Sequence, residues 1–221
     1  MDTAVVGLGN IGSRLAKNLT AGSQKIIVAD RTLAKAEQLA SELGSNAQPM
    51  TVAAAIAKAD VVILAIYFDA MKQLVGTYRD ALADKIVVDP SNPIAPDGKG
   101  GFKRIIPAEQ SSGQLISALL PHGARLVKAF GTLSAESLAS GANRVPERAV
   151  LFYATDYPPA GNVVAKLIIA SRFSPVSIGG IDKSIRIEVS GDLHKFGKLG
   201  KLVSAKEAEP LIRTGTPSTT R

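Results

Sequence analysis

Short apolar runs alternate with segments of helical periodicity over the first ninety residues, the pattern of strands and helices in turn that a parallel sheet with helices on its faces requires. Ala4-Val-Val-Gly7 reads as a buried strand running into glycines. A helix follows from Gly12 through Leu19, with Leu15, Ala16 and Leu19 on one face and an end near Gly22. Lys25 to Asp30 is the second strand. From Thr32, a fitting N-cap, to Leu43, apolar residues recur at Leu33, Ala36, Leu39, Ala40 and Leu43, and Gly44 stands where a left-handed cap belongs. Ala53 to Ala59 predicts a short helix, Val61 to Ile66 a third strand, Ala70 to Leu82 a helix, and Lys85 to Asp89 a fourth strand.

Beyond Asp89 the texture changes. Pro90, Pro93 and Pro96, with Gly98, Gly100 and Gly101, predict a loop that is neither helix nor central strand, read here as an active-site loop. A helix from about Ser112 to Leu120, strands at Arg125 to Phe130 and Ala149 to Ala154, a helix from Gly161 to Ser171 and a strand near Val176 to Ile178 then continue the winding in one sheet. The expectation is a Rossmann-type, doubly wound, mainly parallel α/β domain over residues 1–180. A C-terminal segment, residues 181–221, would complete the site or a dimer contact, with a flexible tail at 214–221.

Composition narrows the function. Of 221 residues 46% are hydrophobic and 20% charged, which is globular rather than disordered, and no apolar run approaches the roughly 20 residues of a membrane span. No signal peptide is visible, so the cytoplasm is the default location. The absence of cysteine removes thiolate metal sites and thiol nucleophiles, and no metal site is expected. The net charge of +7 raises nucleic-acid binding. The excess, however, is spread along the chain, +1 over residues 1–80 and +3 over each of 81–180 and 181–221, and aromatics are only 5% with no Trp. A ligand carrying phosphates accounts for such a field equally well, and neither nucleic acid nor membrane is expected as a partner.

Gly7-Leu-Gly9-Asn10-Ile11-Gly12 lies between the first strand and the first helix, where each glycine has a task. Gly7 permits the tight turn, Gly9 lets the backbone approach a pyrophosphate, and Gly12 lets the helix pack on the sheet. Asp30 stands at the end of the second strand, where a carboxylate accepts from the ribose hydroxyls of NAD, while Arg31, Thr32 and Lys35 suit the 2′-phosphate of NADP provided Asp30 turns away. The choice between NAD and NADP stays open at this point. Ile66 and Tyr67 after the third strand can wall the cofactor, and Ser91 and Asn92 after the fourth can hydrogen-bond a carboxamide or a substrate carbonyl.

These segments, with Asp89-Pro-Ser-Asn-Pro93, Val127-Lys-Ala-Phe130 before Gly131-Thr132, and Asp192-Leu-His-Lys-Phe-Gly197, resemble the deazaflavin (coenzyme F420)-dependent NADP oxidoreductases and their bacterial dinucleotide-binding relatives, from Thr3 to about Ser204. The archaeal members of that family carry a hydroxyl residue where Asp30 stands. The resemblance implies hydride transfer between a nicotinamide and a small-molecule or flavin-like acceptor, with the protein positioning two rings rather than supplying a base. A homodimer is expected.

Should the substrate be a carbonyl or an alcohol, His194 is the candidate acid, since its ordinary pKa near 6.5 suits proton transfer; the competing reading is a turn histidine that caps backbone groups. Lys128 is a weaker candidate, readable also as a sheet-edge lysine, and His122 reads as a surface residue. Two other classes fit the pattern, a non-catalytic NAD(P)-binding redox sensor and a flavin-linked metal-ion reductase module.

Overall fold

A computed structural model of the chain describes residues 1–213. The expected tail at 214–221 lies outside them. In chain order the strands are β1 (Thr3–Val6), β2 (Ile26–Ala29), β3 (Ala47–Met50), β4 (Val61–Leu64), β5 (Ile86–Asp89), β6 (Ile94–Pro96), β7 (Phe102–Arg104), β8 (Arg125–Ala129), β9 (Val150–Ala154) and β10 (Ser174–Ser177). The helices are α1 (Asn10–Ala21), α2 (Leu33–Leu43), α3 (Val52–Lys58), α4 (Phe68–Thr77), α5 (Ser112–Leu119), α6 (Ala135–Ser140), α7 (Pro158–Ala170) and α8 (Ala205–Arg213).

Eight strands form one sheet in the order β10-β9-β8-β5-β4-β1-β2-β3, and β6 and β7 make a separate antiparallel hairpin. From β3 to β8 neighbouring strands are parallel. The central ones, β1, β2, β4 and β5, are mostly apolar because both faces are covered. Val5, Val28, Val61, Ile63 and Val88 point into one core with α1, α2 and α7, while Ala4, Val6, Ile27, Val62, Leu64 and Val87 point into the other with α3, α4 and α5. This is the expected Rossmann-type α/β fold.

The expectation of continued winding needs one correction. β9 pairs antiparallel with β8, and β10 runs parallel to β9, so the last two strands point the other way. The strand β3 and the helices α6 and α8 escaped the sequence reading. β3 and β10 are the edge strands, each carries a proline, Pro49 and Pro175, and neither is fully buried; β3 shows no continuous apolar run, while β10 lies where a strand is expected near Val176, shifted by two residues or so toward its start. The Pro90 to Gln110 stretch stays out of the main sheet as expected but folds back as the β6–β7 hairpin. α6 has six residues, and α8 carries Pro210 inside it.

The segment after β10 is packed rather than trailing. A 3-10 turn at Ile181–Ile187 and α8 bring Ile187, Leu193, Val203 and Ala208 against Val150, Phe152 and Ala154 of β9. Among the described residues no helix is long and apolar enough to cross a membrane, and no three His, Asp or Glu side chains are grouped as metal ligands.

Candidate functional site

The carboxyl ends of β1, β2, β4, β5 and β8 share one rim of the sheet, and every loop that the sequence reading singled out, save the late C-terminal segment, leaves from that rim. An open α/β sheet holds its ligand in the crevice beyond these ends. At the β1–α1 turn Gly7 has φ +90, and a Cβ there would lie 2.3 Å from Ile66 Cγ2 and 2.7 Å from the Ala65 oxygen. A Cβ on Gly12 would lie 1.8 Å from the Gly7 oxygen. These two glycines are therefore required by the protein's own packing. Gly9 differs, because a Cβ there would meet nothing within 4 Å, and its backbone is extended with φ −73. The turn is therefore open on the side of Gly9. Gly9 caps α1, Asn10 and Ile11 begin it, and the first-turn N–H groups, which have no intrahelical acceptor, present the positive end of a twelve-residue helix to that space.

Asp30 turns inward. Its Oδ2 accepts from the Leu8 N–H at 2.8 Å and its Oδ1 from the Thr32 N–H at 3.2 Å, with Lys35 Nζ 3.7 Å from Oδ2. Arg31 is exposed, and Thr32 caps α2 without spending its hydroxyl on the helix. Beside them a cleft of about 200 Å³ between α1 and α2 is lined by Leu8, Ser13, Lys17, Lys35, Gln38, Leu39 and Glu42. A larger hollow, about 380 Å³, lies between Tyr153, Asp156, Gly161 and Gly180 at the carboxyl ends of the reversed strands, on the opposite edge and remote from the glycine turn.

On the other side of the crevice Ile66 packs beneath Gly7, and Tyr67, 61% exposed, stands at the start of α4. Ser91 is buried, its N–H bonded to Asp89 Oδ1, and its hydroxyl has no partner. Asn92 is used as a strut, since Nδ2 donates to the Gly131 oxygen at 2.9 Å and Oδ1 accepts from the Val189 N–H at 2.7 Å. Both ends of the Asn92 amide thus hold backbone, which leaves the second Nδ2 hydrogen for the carboxamide or carbonyl expected from the sequence.

The expectation of an acid at His194 is corrected. It is 2% exposed, Nδ1 accepts from the Phe196 N–H at 2.9 Å, and Nε2 donates to the Gly131 oxygen at 2.9 Å. Burial outweighs the help of that carbonyl and holds its pKa down at about 4, with Lys128 adding to the depression. A ring that is neutral and doubly bonded cannot serve as an acid at neutral pH; it ties the 191–197 segment to the end of β8.

Lys128, far from a sheet edge, lies in β8 between β5 and β9 and is 2% exposed. Its ammonium donates to Asp89 Oδ2 at 2.8 Å, to the Ser91 oxygen at 2.5 Å and to Ser112 Oγ at 3.0 Å. Glu188, also buried, accepts from Ser111 Oγ and from the Ser112 and Gly113 N–H groups at the start of α5. Burial would raise its pKa, yet Lys128 and those three donors lower it on balance. The sequence reading missed this network. One signal for part of it existed: Asp89 and Lys128 each interrupt an apolar run, and register pairs them across β5 and β8. Glu188, 76 residues from Ser112, left none.

The doubly wound sheet and the open glycine turn define a dinucleotide-binding protein of the Rossmann type. Residues 2–93 match the family model described as NADP oxidoreductase, coenzyme F420-dependent. The chain is 28% identical over 201 residues to the F420-dependent NADP reductase of Methanothermobacter thermautotrophicus, with 85% of each chain covered. The solved structure of a hypothetical protein from Sinorhizobium meliloti superposes with a TM-score of 0.81 at 31% identity, covering 92% of this chain and 95% of that one. A proposed F420-dependent NADP-reductase from an Arthrobacter species shares the fold at a TM-score of 0.71 and 21% identity, covering 83% and 86%. Its nucleotide-binding segment thus resembles the coenzyme F420-dependent NADP oxidoreductases, and the chain is an NAD(P)-dependent oxidoreductase.

Proposed function

We propose that this protein passes a hydride between NADP(H) and a flavin-like or small-molecule acceptor, and that no side chain acts as acid or base in the transfer. The observation that carries the reading is the contrast at the glycine turn, where Gly7 and Gly12 are closed by protein atoms and Gly9 faces open space. A bound nicotinamide supplies the hydride chemistry. The chain's own part is to bind and orient. Gly9 and the first turn of α1 would hold the pyrophosphate by backbone N–H groups. Arg31, Thr32 and Lys35 would meet the adenosine end, and two cations beside one inward-turned carboxylate favour the phosphorylated coenzyme. Ile66 and Tyr67 would wall the ring, and the turn after β5 would face its carboxamide.

The surrounding residues agree with a transfer that uses no acid, for His194 is neutral and Lys128 spends its ammonium on three internal acceptors. Any proton that accompanies the hydride would come from solvent. We propose in addition that residues 181–213 complete this end of the site, since Val189 and His194 bond to Asn92 and Gly131. Stopped-flow oxidation of NADPH by a panel of acceptors, flavin, deazaflavin and small carbonyls, tests the reading. Oxidation by a ring acceptor at a rate unchanged from pH 6 to 8 supports it. Reduction of a carbonyl alone, with a limb near pH 6.5, would contradict it.

A further inference from the structure

We infer that Asp30 is a positioning residue for the glycine turn and does not read the coenzyme ribose. The inference rests on the coenzyme reading above and concerns one side chain within it. A carboxylate at the end of β2 is ordinarily available to two ribose hydroxyls. Here both oxygens already hold backbone, Leu8 N–H on one and Thr32 N–H on the other, and the side chain is only 12% exposed.

The Leu8 bond spans 22 residues, from the tip of one strand to the turn beyond its neighbour. Together with the Gly7 N–H donated to the Ala29 oxygen at 2.8 Å, it pins the β1–α1 turn to the end of β2 on both sides of Gly7. Leu8 is 3% exposed, so without Asp30 its N–H would be buried and unpaired before any coenzyme binds. The Thr32 bond fixes the entry to α2 in the same way. One carboxylate thus holds together the two turns between which an adenosine and its phosphates would lie.

Charge points the same way. Lys35 stands 3.7 Å from Asp30, and Arg31, exposed, forms no hydrogen bond or ion pair among the described residues. With one acid and two bases the turn carries a net positive charge, so an anionic group at the ribose is not repelled even though an aspartate is present. The carboxylate contributes shape and the neighbouring cations contribute choice.

Two variants of the full chain, titrated with NADPH and NADH and melted thermally, separate positioning from reading. Asp30→Asn keeps an oxygen for the Leu8 N–H, so NADH affinity should stay within about threefold of the unaltered chain while NADPH holds or improves. Asp30→Ala removes both acceptors and should weaken the two coenzymes by a similar factor, about tenfold, together with a lower melting temperature. A tenfold or greater loss of NADH in Asp30→Asn with NADPH retained would overturn the inference and leave the coenzyme reading intact. Failure of the unaltered chain to bind either coenzyme would overturn both.

Discussion

At the residue scale, three glycines of one motif do different work, and the difference is measurable. Gly9→Val puts its Cβ where no protein atom lies within 4 Å, on an extended backbone, so its stability should stay close to that of the unaltered chain while coenzyme affinity falls below detection. Gly12→Ala places a methyl 1.8 Å from the Gly7 oxygen and should cost about 2 kcal/mol or more in chemical denaturation. The spacing of the motif announced all three glycines, but only the packing tells which face protein and which face a ligand. Residue identity was likewise enough to pick out His194 and not to assign it, because burial is set by segments far apart in sequence. Its folded pKa of about 4 lies below the ordinary 6.5, so on acidification the unfolded chain takes up its proton first. Stability from this residue is complete above pH 6.5 and is lost as the pH falls toward 4, about 2 kcal/mol of it by pH 5. Urea denaturation at pH 7.5 and 5 should show that loss, and His194→Gln should remove its share of the slope.

Among elements, those with two covered faces were plain in the sequence, since β1, β2, β4 and β5 are short unbroken apolar runs and α1 and α2 keep helical spacing up to their glycine ends. What stayed hidden was edge or short. β3 breaks its pattern with proline, α6 has only six residues, and α8 carries Pro210 inside it. The polar tie between β5 and β8 fixes the turn carrying Ser91 and Asn92, because Asp89 accepts from the Ser91 N–H and Lys128 donates to the Ser91 oxygen. Lys128→Met leaves Asp89 buried without its cation and should destabilise by about 3–5 kcal/mol. Replacing both partners with apolar residues of similar size should recover much of that loss, whereas the unpartnered Ser91 hydroxyl should make Ser91→Ala neutral or stabilising on its own.

For the whole molecule, alternation of strand and helix was sufficient to expect a Rossmann-type sheet, but the direction of its last two strands was not legible. Local sequence sets a strand's faces, whereas its direction follows from where the connecting chain has room to return. The loop and α6 between β8 and β9 bring the chain back antiparallel, and this leaves the face of β9 that the 181–213 segment covers. That segment, expected to complete the site or a dimer contact, supplies Val189 and His194 as props for the crevice. The glycine turn of the proposed site was therefore legible from one motif, and the opposite side, assembled from residues around 90, 130 and 190, was not. The most direct measurement of the central claim is a calorimetric titration of the full chain with NADPH. Saturable one-site binding in the micromolar range, abolished in Gly9→Val at unchanged melting temperature, is the predicted result; no heat from NADPH or NADH at millimolar concentration, or undiminished binding by Gly9→Val, would contradict it.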